Sequence, residues 1–215
     1  MKSKMGRERV YIACKQVKEN KPMNTFSIAL FACLAWATAS AQSPSSAPMV
    51  LPSSPLTPIA SLDVPRYMGT WFEIAKYPNW FQKKCVSDTK AEYRLQARGT
   101  VQVINRCNKE NAETDEAIGE ARQTGVTTSP KLQVRFAPAW LSWLPSVWGD
   151  YWVIDLDSDY QLVAVSEPKR KYLWILSRKP SVSADAYAAL LGRLKAQGFD
   201  LSRLELTAHS TSIRQ

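Results

Sequence analysis

The sequence predicts an all-β protein: an eight-stranded up-and-down antiparallel β-barrel with one C-terminal α-helix packed outside it. Two patterns support this fold. From Leu62 onward, short runs rich in β-branched and aromatic residues recur at regular intervals, which favours antiparallel strands joined by short turns. Strong helical spacing of apolar residues occurs only once, from Ser183 to Gln197. Eight strands suffice to close a barrel around side chains or one small ligand.

The first predicted strand runs from Tyr67 to Tyr77, and Gly69 marks its start, where a side chain would obstruct a sharp turn into a sheet. Pleating sends alternate side chains to opposite faces, so Trp71, Glu73 and Tyr77 should share the inner face. The other strands are predicted at residues 85–95, 100–107, 113–123, 131–136, 151–157, 161–166 and 172–178, with room for a short ninth at 204–206.

The helix follows the eighth strand. Ser183 is a suitable N-cap, Asp185 lies in the first turn, and Gly198 is suited to end the helix. Its apolar residues fall on one stripe, which should lie against the outside of the barrel. These residues are Tyr187, Leu190, Leu191 and Leu194.

The N-terminal region has the layout of an exported protein. Basic residues precede the apolar run Phe26 to Ala37, and small residues follow it, so residues 1–41 are predicted to be a signal peptide. Residues 42–61 are rich in Pro and Ser and predict an extended tether. The barrel should span 62–207, with a polar tail at 208–215. Cys33 fits a lipoprotein cleavage box poorly because the bulky Phe31 precedes it, so no lipid anchor is predicted there.

The charge does not indicate a nucleic-acid-binding protein. The whole chain has a net charge of +9, but without residues 1–41 it keeps 21 basic and 17 acidic residues, a net charge of about +4. These basic residues are scattered and form no stripe with interleaved aromatics.

Three separated motifs resemble those of the lipocalin family. They are Gly69-Thr70-Trp71 in the first strand, Asp157-Ser158-Asp159-Tyr160 between two later strands, and Trp174-Ile175-Leu176-Ser177-Arg178 in the eighth. The likeness covers roughly Leu62 to Leu206 and is strongest to bacterial lipocalins of the outer-membrane lipoprotein type. It implies that Arg178 covers Trp71 at the closed end of the barrel, and a cation over an indole face stabilises by about 0.5 to 2 kcal/mol.

The resemblance implies that the protein binds and stores or transports a fatty acid or lysophospholipid in the bacterial cell envelope, in the periplasm or at the outer membrane. In lipocalins, residues equivalent to Tyr93 and Trp174 often line the ligand cavity. Strand parity adds further inward side chains that suit a greasy molecule with one polar end. The predicted ligand-binding residues are Glu73, Tyr77, Tyr93, Val103, Leu132, Val134, Phe136, Asp155, Tyr172 and Trp174.

Cys85 and Cys107 remain as the only cysteines after residue 41, on neighbouring strands at one end of the barrel. A simple hairpin register leaves them about four residues out of line, which a β-bulge or a flexible strand end could absorb. Since export permits oxidation, a disulfide is predicted; two unpaired thiols are the alternative.

Signatures of catalysis are scarce. His209 is the sole histidine and lies near the C-terminus, and the sequence contains no G-x-S-x-G or H-E-x-x-H motif, so no catalytic residue, metal site or cofactor is predicted. An enzyme of lipid or pigment metabolism remains an alternative, because Glu73 and Asp155 could form an inward pair that shares a proton.

The segment from Ala137 to Trp148 is far more apolar than an ordinary turn, with Trp140, Trp143 and Trp148 between the fifth and sixth strands. It should lie at the open end of the barrel. There it could gate the cavity or dip into a bilayer, since Trp favours the water–lipid interface. The alternatives are a cap folded over the mouth or a contact in a homodimer.

Overall fold

The computed structural model describes residues 54–210. They form one antiparallel sheet of nine strands and two α-helices. The strands are β1 Gly69–Lys76, β2 Ser87–Leu95, β3 Val101–Asn108, β4 Thr114–Gln123, β5 Lys131–Arg135, β6 Gly149–Leu156, β7 Leu162–Ser166, β8 Leu173–Ser177 and β9 Glu205–Leu206. The helices are α1 Val64–Tyr67 and α2 Ala184–Ala196.

The sheet closes on itself. Each of the strands β1 to β7 pairs with the next in sequence, β1 also pairs with β8, and β9 adds at the edge of β1. This arrangement confirms the predicted eight-stranded up-and-down barrel. The observed strand ends lie within two residues of the predicted ones, because the turn residues between the strands mark those ends clearly.

Two apolar clusters hold the barrel. One lines its interior around Trp71 and Val153, and the other lies between the outer wall and α2. Leu190 and Leu194 of α2 are fully buried in the outer cluster, which confirms the predicted packing of the helix. The Ser183 hydroxyl caps the helix by accepting from the Ala186 amide, as its position in the sequence suggested.

The two ends of the barrel differ. The connections from β2 to β3, β4 to β5 and β6 to β7 lie at the closed end together with α1, and those from β1 to β2, β3 to β4, β5 to β6 and β7 to β8 lie at the open end. Gly69 begins β1 at the closed end with φ +97°, and a Cβ there would lie 3.2 Å from Arg178 Nη1. Glycine therefore satisfies both the backbone conformation and the close approach of the arginine.

The described part of the predicted tether packs on the barrel. Leu56 is buried in the outer cluster, and the Ile59 amide donates to the Val153 carbonyl at 3.0 Å. Residues 54–61 of the predicted tether form no helix or strand, and their apolar side chains pack on the barrel, a contact that composition alone does not reveal. Residues 1–53, including the predicted signal peptide and Cys33, lie outside the described residues. No helix within 54–210 is long and apolar enough to cross a membrane.

Candidate functional site

The barrel encloses a cavity of about 780 Å³ that opens between the loops of the open end. Its wall is mostly aliphatic and aromatic, as the alternation of the inward strand positions requires. Of the residues predicted from the sequence, the wall includes Glu73, Tyr93, Val103, Leu132, Val134, Phe136, Tyr172 and Trp174. A cavity of this size and character suits a small apolar molecule.

Aromatic rings cluster on one side of the cavity mouth. Tyr172 and Trp174 stack with centroids 5.8 Å apart, and Phe81, from the loop after β1, lies 5.7 Å and 6.2 Å from them. The Trp174 indole N–H donates to Gln82 Oε1 at 3.0 Å. This hydrogen bond fixes the loop after β1 against the eighth strand, so the shape of the mouth depends on both.

Glu73 is almost fully buried, with 2% of its surface exposed, and its carboxylate is fully engaged. It accepts from Gln82 Nε2 at 2.7 Å and from Thr207 Oγ1 at 2.6 Å, and Lys76 Nζ lies 3.3 Å away. The carboxylate therefore joins the loop after β1 to the chain after β9. These contacts give Glu73 a positioning role at the mouth.

Three tyrosines form a hydrogen-bonded cluster deep in the cavity, above Trp71. The hydroxyl of Tyr151 lies 2.8 Å from that of Tyr67 and 3.0 Å from that of Tyr93. Burial raises the pKa of Tyr93 to about 12 and the pKa values of Tyr67 and Tyr151 well above their usual range. All three hydroxyls are thus neutral at physiological pH.

Below this cluster, Arg178 covers the indole of Trp71, with the guanidinium carbon 4.0 Å from the ring centroid. The guanidinium donates to the backbone carbonyls of Tyr160, Thr70 and Arg66. Trp71 is completely buried and donates its indole N–H to the Tyr67 carbonyl at 2.9 Å. The closed end is therefore sealed by an aromatic ring, an arginine and satisfied backbone groups.

The cysteines form the predicted disulfide, Cys85 to Cys107, at the open end. A β-bulge shifts the β2–β3 register between Ser87 and Lys90, and Cys85 precedes the strand. A simple hairpin register leaves the two cysteines about four residues out of line. The bulge removes one residue of this misalignment, and the irregular chain before β2 accommodates the rest. Both cysteines lie in the cavity wall.

Tyr77 was predicted to line the cavity, and the structure places it elsewhere. Its ring packs against Phe199 in the outer cluster, its hydroxyl donates to the Asp200 carbonyl, and Arg203 lies over it. The cause is a β-bulge between Glu73 and Ala75 in the β1–β8 pairing. An extra residue reverses the inward and outward alternation for the rest of the strand.

Asp155 also lies outside the cavity, contrary to the prediction. It forms a two-pronged ion pair with Arg193 of α2, at 2.6 Å and 2.9 Å. A bulge between Val153 and Asp155 in the β6–β7 pairing accounts for the change of face. Glu73 and Asp155 therefore have separate partners, and the inward carboxylate pair predicted for an enzyme does not form.

The tryptophans between β5 and β6 have two environments. Trp148 lies in the cavity wall under the guanidinium of Arg122, 4.0 Å from its ring centroid, and donates to the Ser142 carbonyl. Trp140 and Trp143 are each 74% exposed, as is Trp80 in the loop after β1. Within this segment, Trp148 therefore packs against the barrel, whereas Trp140 and Trp143 project from the open end.

Comparisons with known proteins agree with this architecture. The model of the lipocalin-like domain matches residues 62–209. The chain belongs to the lipocalin family. It is 39% identical over 154 residues to temperature-induced lipocalin-1 of Arabidopsis thaliana, covering 71% of this chain and 82% of that protein. It is 35% identical over 153 residues to the outer membrane lipoprotein Blc of Escherichia coli (strain K12), with the same coverage.

Among solved structures, this lipocalin resembles insecticyanin from the tobacco hornworm Manduca sexta. The TM-score is 0.57 at 19% identity, over 74% of this chain and 87% of that one. Such a likeness concerns the fold. The family as a whole binds small hydrophobic ligands, and the enclosed apolar cavity provides a place for one.

Sequence reasoning missed several residues that shape the lipocalin cavity. Tyr67 ends α1, whereas the sequence placed it at the start of the first strand, and Tyr151 was taken only as the start of a strand. Gln82 and Thr207 lie outside the barrel strands, and only the tertiary structure brings them into hydrogen-bonding contact with Glu73. Parity with the inward Val153 could have marked Tyr151, and parity with Trp71 in the predicted first strand could have marked Tyr67. Within residues 54–210, no group of His, Cys, Asp or Glu could hold a metal ion.

Proposed function

We propose that this lipocalin binds a single-chain lipid, a fatty acid or a lysophospholipid, in its barrel cavity, and stores or carries it in the bacterial cell envelope. The observation that carries the proposal is the cavity of about 780 Å³ with a mostly apolar, aromatic wall and an open mouth. The similarity to an outer membrane lipoprotein supports the envelope setting. Export to the periplasm and a binding role without catalysis are parts of this proposal.

The first test is to express the full chain with its predicted leader, release it from the cell envelope without detergent, and analyse it by native mass spectrometry and lipid extraction. A fatty acid or lysophospholipid near one molecule per barrel supports the proposal. An empty protein that also takes up no lipid when offered contradicts it.

A Trp174→Glu variant tests the cavity itself. A carboxylate among the rings of Phe81 and Tyr172 would have to lose its hydration, so an apolar fluorescent probe should bind at least about tenfold more weakly. Ile118→Glu is the matched control, because Ile118 is 56% exposed on β4 and lies outside the cavity wall. Equal affinities for the two variants would remove Trp174 from the binding site.

A contact with a lipid bilayer at the open end is a second candidate function. Trp80, Trp140 and Trp143 are each 74% exposed on two loops of the open end, where they could reach the interfacial region of a bilayer. This contact would let a lipid pass between membrane and cavity without crossing water. The loops carry these side chains in place of the polar residues usual at an exposed turn.

Sedimentation with phospholipid vesicles tests this contact. Substituting Trp140→Ser together with Trp143→Ser should lower vesicle binding, whereas Val126→Ser should not, because Val126 is 70% exposed at the closed end. Binding that survives the double substitution would argue against a membrane contact through this segment.

A further inference from the structure

The tyrosine cluster holds one hydrogen-bond donor more than it can use. Each neutral hydroxyl carries one proton, and the Tyr67, Tyr93 and Tyr151 hydroxyls form only two hydrogen bonds with one another. No other group among residues 54–210 bonds to them. Whichever way the bonds run, one O–H proton is left over, and leaving such a buried donor without an acceptor costs about 1 to 3 kcal/mol. Its acceptor has to come from the contents of the cavity.

The electrostatic field at this position favours an anion. Arg178 lies directly below Trp71, and its three hydrogen bonds all go to neutral backbone carbonyls. No carboxylate pairs with Arg178 within the described part of the chain, so its positive charge stays uncompensated by protein. Burial raises the pKa values of Tyr67 and Tyr93, while the nearby charge of Arg178 acts to lower them.

The mouth has a different character. The Glu73 carboxylate is already paired there with Lys76, charged residues of both signs line the wall, and the rings of Phe81, Tyr172 and Trp174 offer contacts to hydrocarbon. Between the two ends the wall consists largely of small and branched apolar residues such as Val103 and Leu132. The spare O–H donor and Arg178 at the deep end, together with the rings at the mouth, therefore favour a chain whose anionic end lies deep and whose methyl end lies among the rings.

We propose that the tyrosine cluster is a subsite for the carboxyl group of a free fatty acid, which enters the barrel carboxyl end first. The inference rests on the proposed lipid-binding function and narrows its ligand class. A carboxylate accepts the spare O–H in a charge-assisted hydrogen bond and lies in the field of Arg178. A lysophospholipid cannot reach this arrangement, because its acyl carboxyl group is esterified and only its methyl end is free to enter.

The orientation can be measured directly on the full chain. Laurate labelled with ¹³C at the carboxyl carbon, or at the methyl carbon, is bound to the protein and observed by NMR with a soluble gadolinium chelate added. The methyl signal should broaden and the carboxyl signal should stay sharp. A carboxyl signal that broadens while laurate remains bound would overturn the inference and leave the proposed function intact.

Variants test the hydroxyls. Replacing Tyr67, Tyr93 and Tyr151 together by Phe keeps the rings and removes every donor of the cluster, so laurate affinity should fall about 10- to 100-fold. Binding of dodecyltrimethylammonium, with the same chain and a cationic end, should not fall. Tyr187→Phe on the outside of the barrel is the control.

The outcomes separate the two proposals. Dodecyltrimethylammonium binding that matches or exceeds laurate binding in the unmodified protein would contradict the carboxyl subsite while supporting a lipid cavity. A protein that binds neither compound, nor an apolar probe, would contradict the proposed function itself. If the triple variant fails to fold, the NMR experiment still decides the orientation.

Discussion

Tryptophan occurs at both ends of the barrel, but it is buried at the closed end and exposed at the open end. At the closed end Trp71 is completely buried, covered by Arg178 and bonded to the backbone. At the open end Trp140 and Trp143 are each 74% exposed. Tight packing and satisfied hydrogen bonds make the closed end the centre of stability, whereas the exposed rings contribute little to folding and are available to lipid. A tryptophan count alone therefore says nothing about function.

A pair of matched substitutions should give the largest difference between the ends. Trp71→Ala removes a fully buried indole and should lower the free energy of unfolding by about 3 to 5 kcal/mol. Trp140→Ala should change it by no more than about 0.5 kcal/mol, because the side chain is exposed. Urea unfolding followed by circular dichroism measures both. Similar losses would mean that the open end is packed as firmly as the closed end.

The disulfide should be the main source of stability at the open end. Cys85 and Cys107 are 22 residues apart in the chain, so replacing both with Ser should lower the free energy of unfolding by about 3 kcal/mol. A reductant should have the same effect on the unmodified protein and none on the double variant. If the double variant were as stable as the unmodified protein, the loops of the open end would have to be held by their other contacts.

The sequence predicted the barrel, its strand order and the outer helix, because turn residues and alternating patterns are local signals. It misplaced Tyr77 and Asp155 for one shared reason. Each lies at or after a β-bulge, at Glu73/Ala75 in β1 and at Val153/Asp155 in β6. Each bulge moves the side chains that follow it to the opposite face of the sheet. No residue pattern marks those positions. A bulge was invoked for Cys85 only because the offset of the cysteines required one.

The tyrosine cluster at the closed end should make the protein sensitive to alkali. Burial raises the pKa of Tyr93 to about 12, whereas an unfolded tyrosine ionises near 10. The contribution of Tyr93 to stability is therefore complete below pH 10 and is lost as the pH rises through 12. The free energy of unfolding should fall by about 1.4 kcal/mol for each pH unit in this range.

Urea unfolding at pH 9 and pH 11 tests this loss, with absorbance at 295 nm reporting tyrosine ionisation. The Tyr93→Phe variant should lose less stability over the same interval. An equal loss in that variant would assign the alkaline sensitivity to groups other than Tyr93.

The smallest effect should come from Asp155, on the outer wall between the two ends. Its partner Arg193 is half exposed, so Asp155→Asn should cost no more than about 1 kcal/mol of stability. Lipid affinity should not change, because Asp155 faces α2.

Glu73→Gln should weaken lipid binding. The substitution breaks the ion pair with Lys76 and weakens the hold on Gln82, whose side chain accepts a hydrogen bond from the Trp174 indole. If instead both variants weakened binding equally, Asp155 would have to face the cavity beside Glu73, and an enzyme based on that carboxylate pair would again be a candidate.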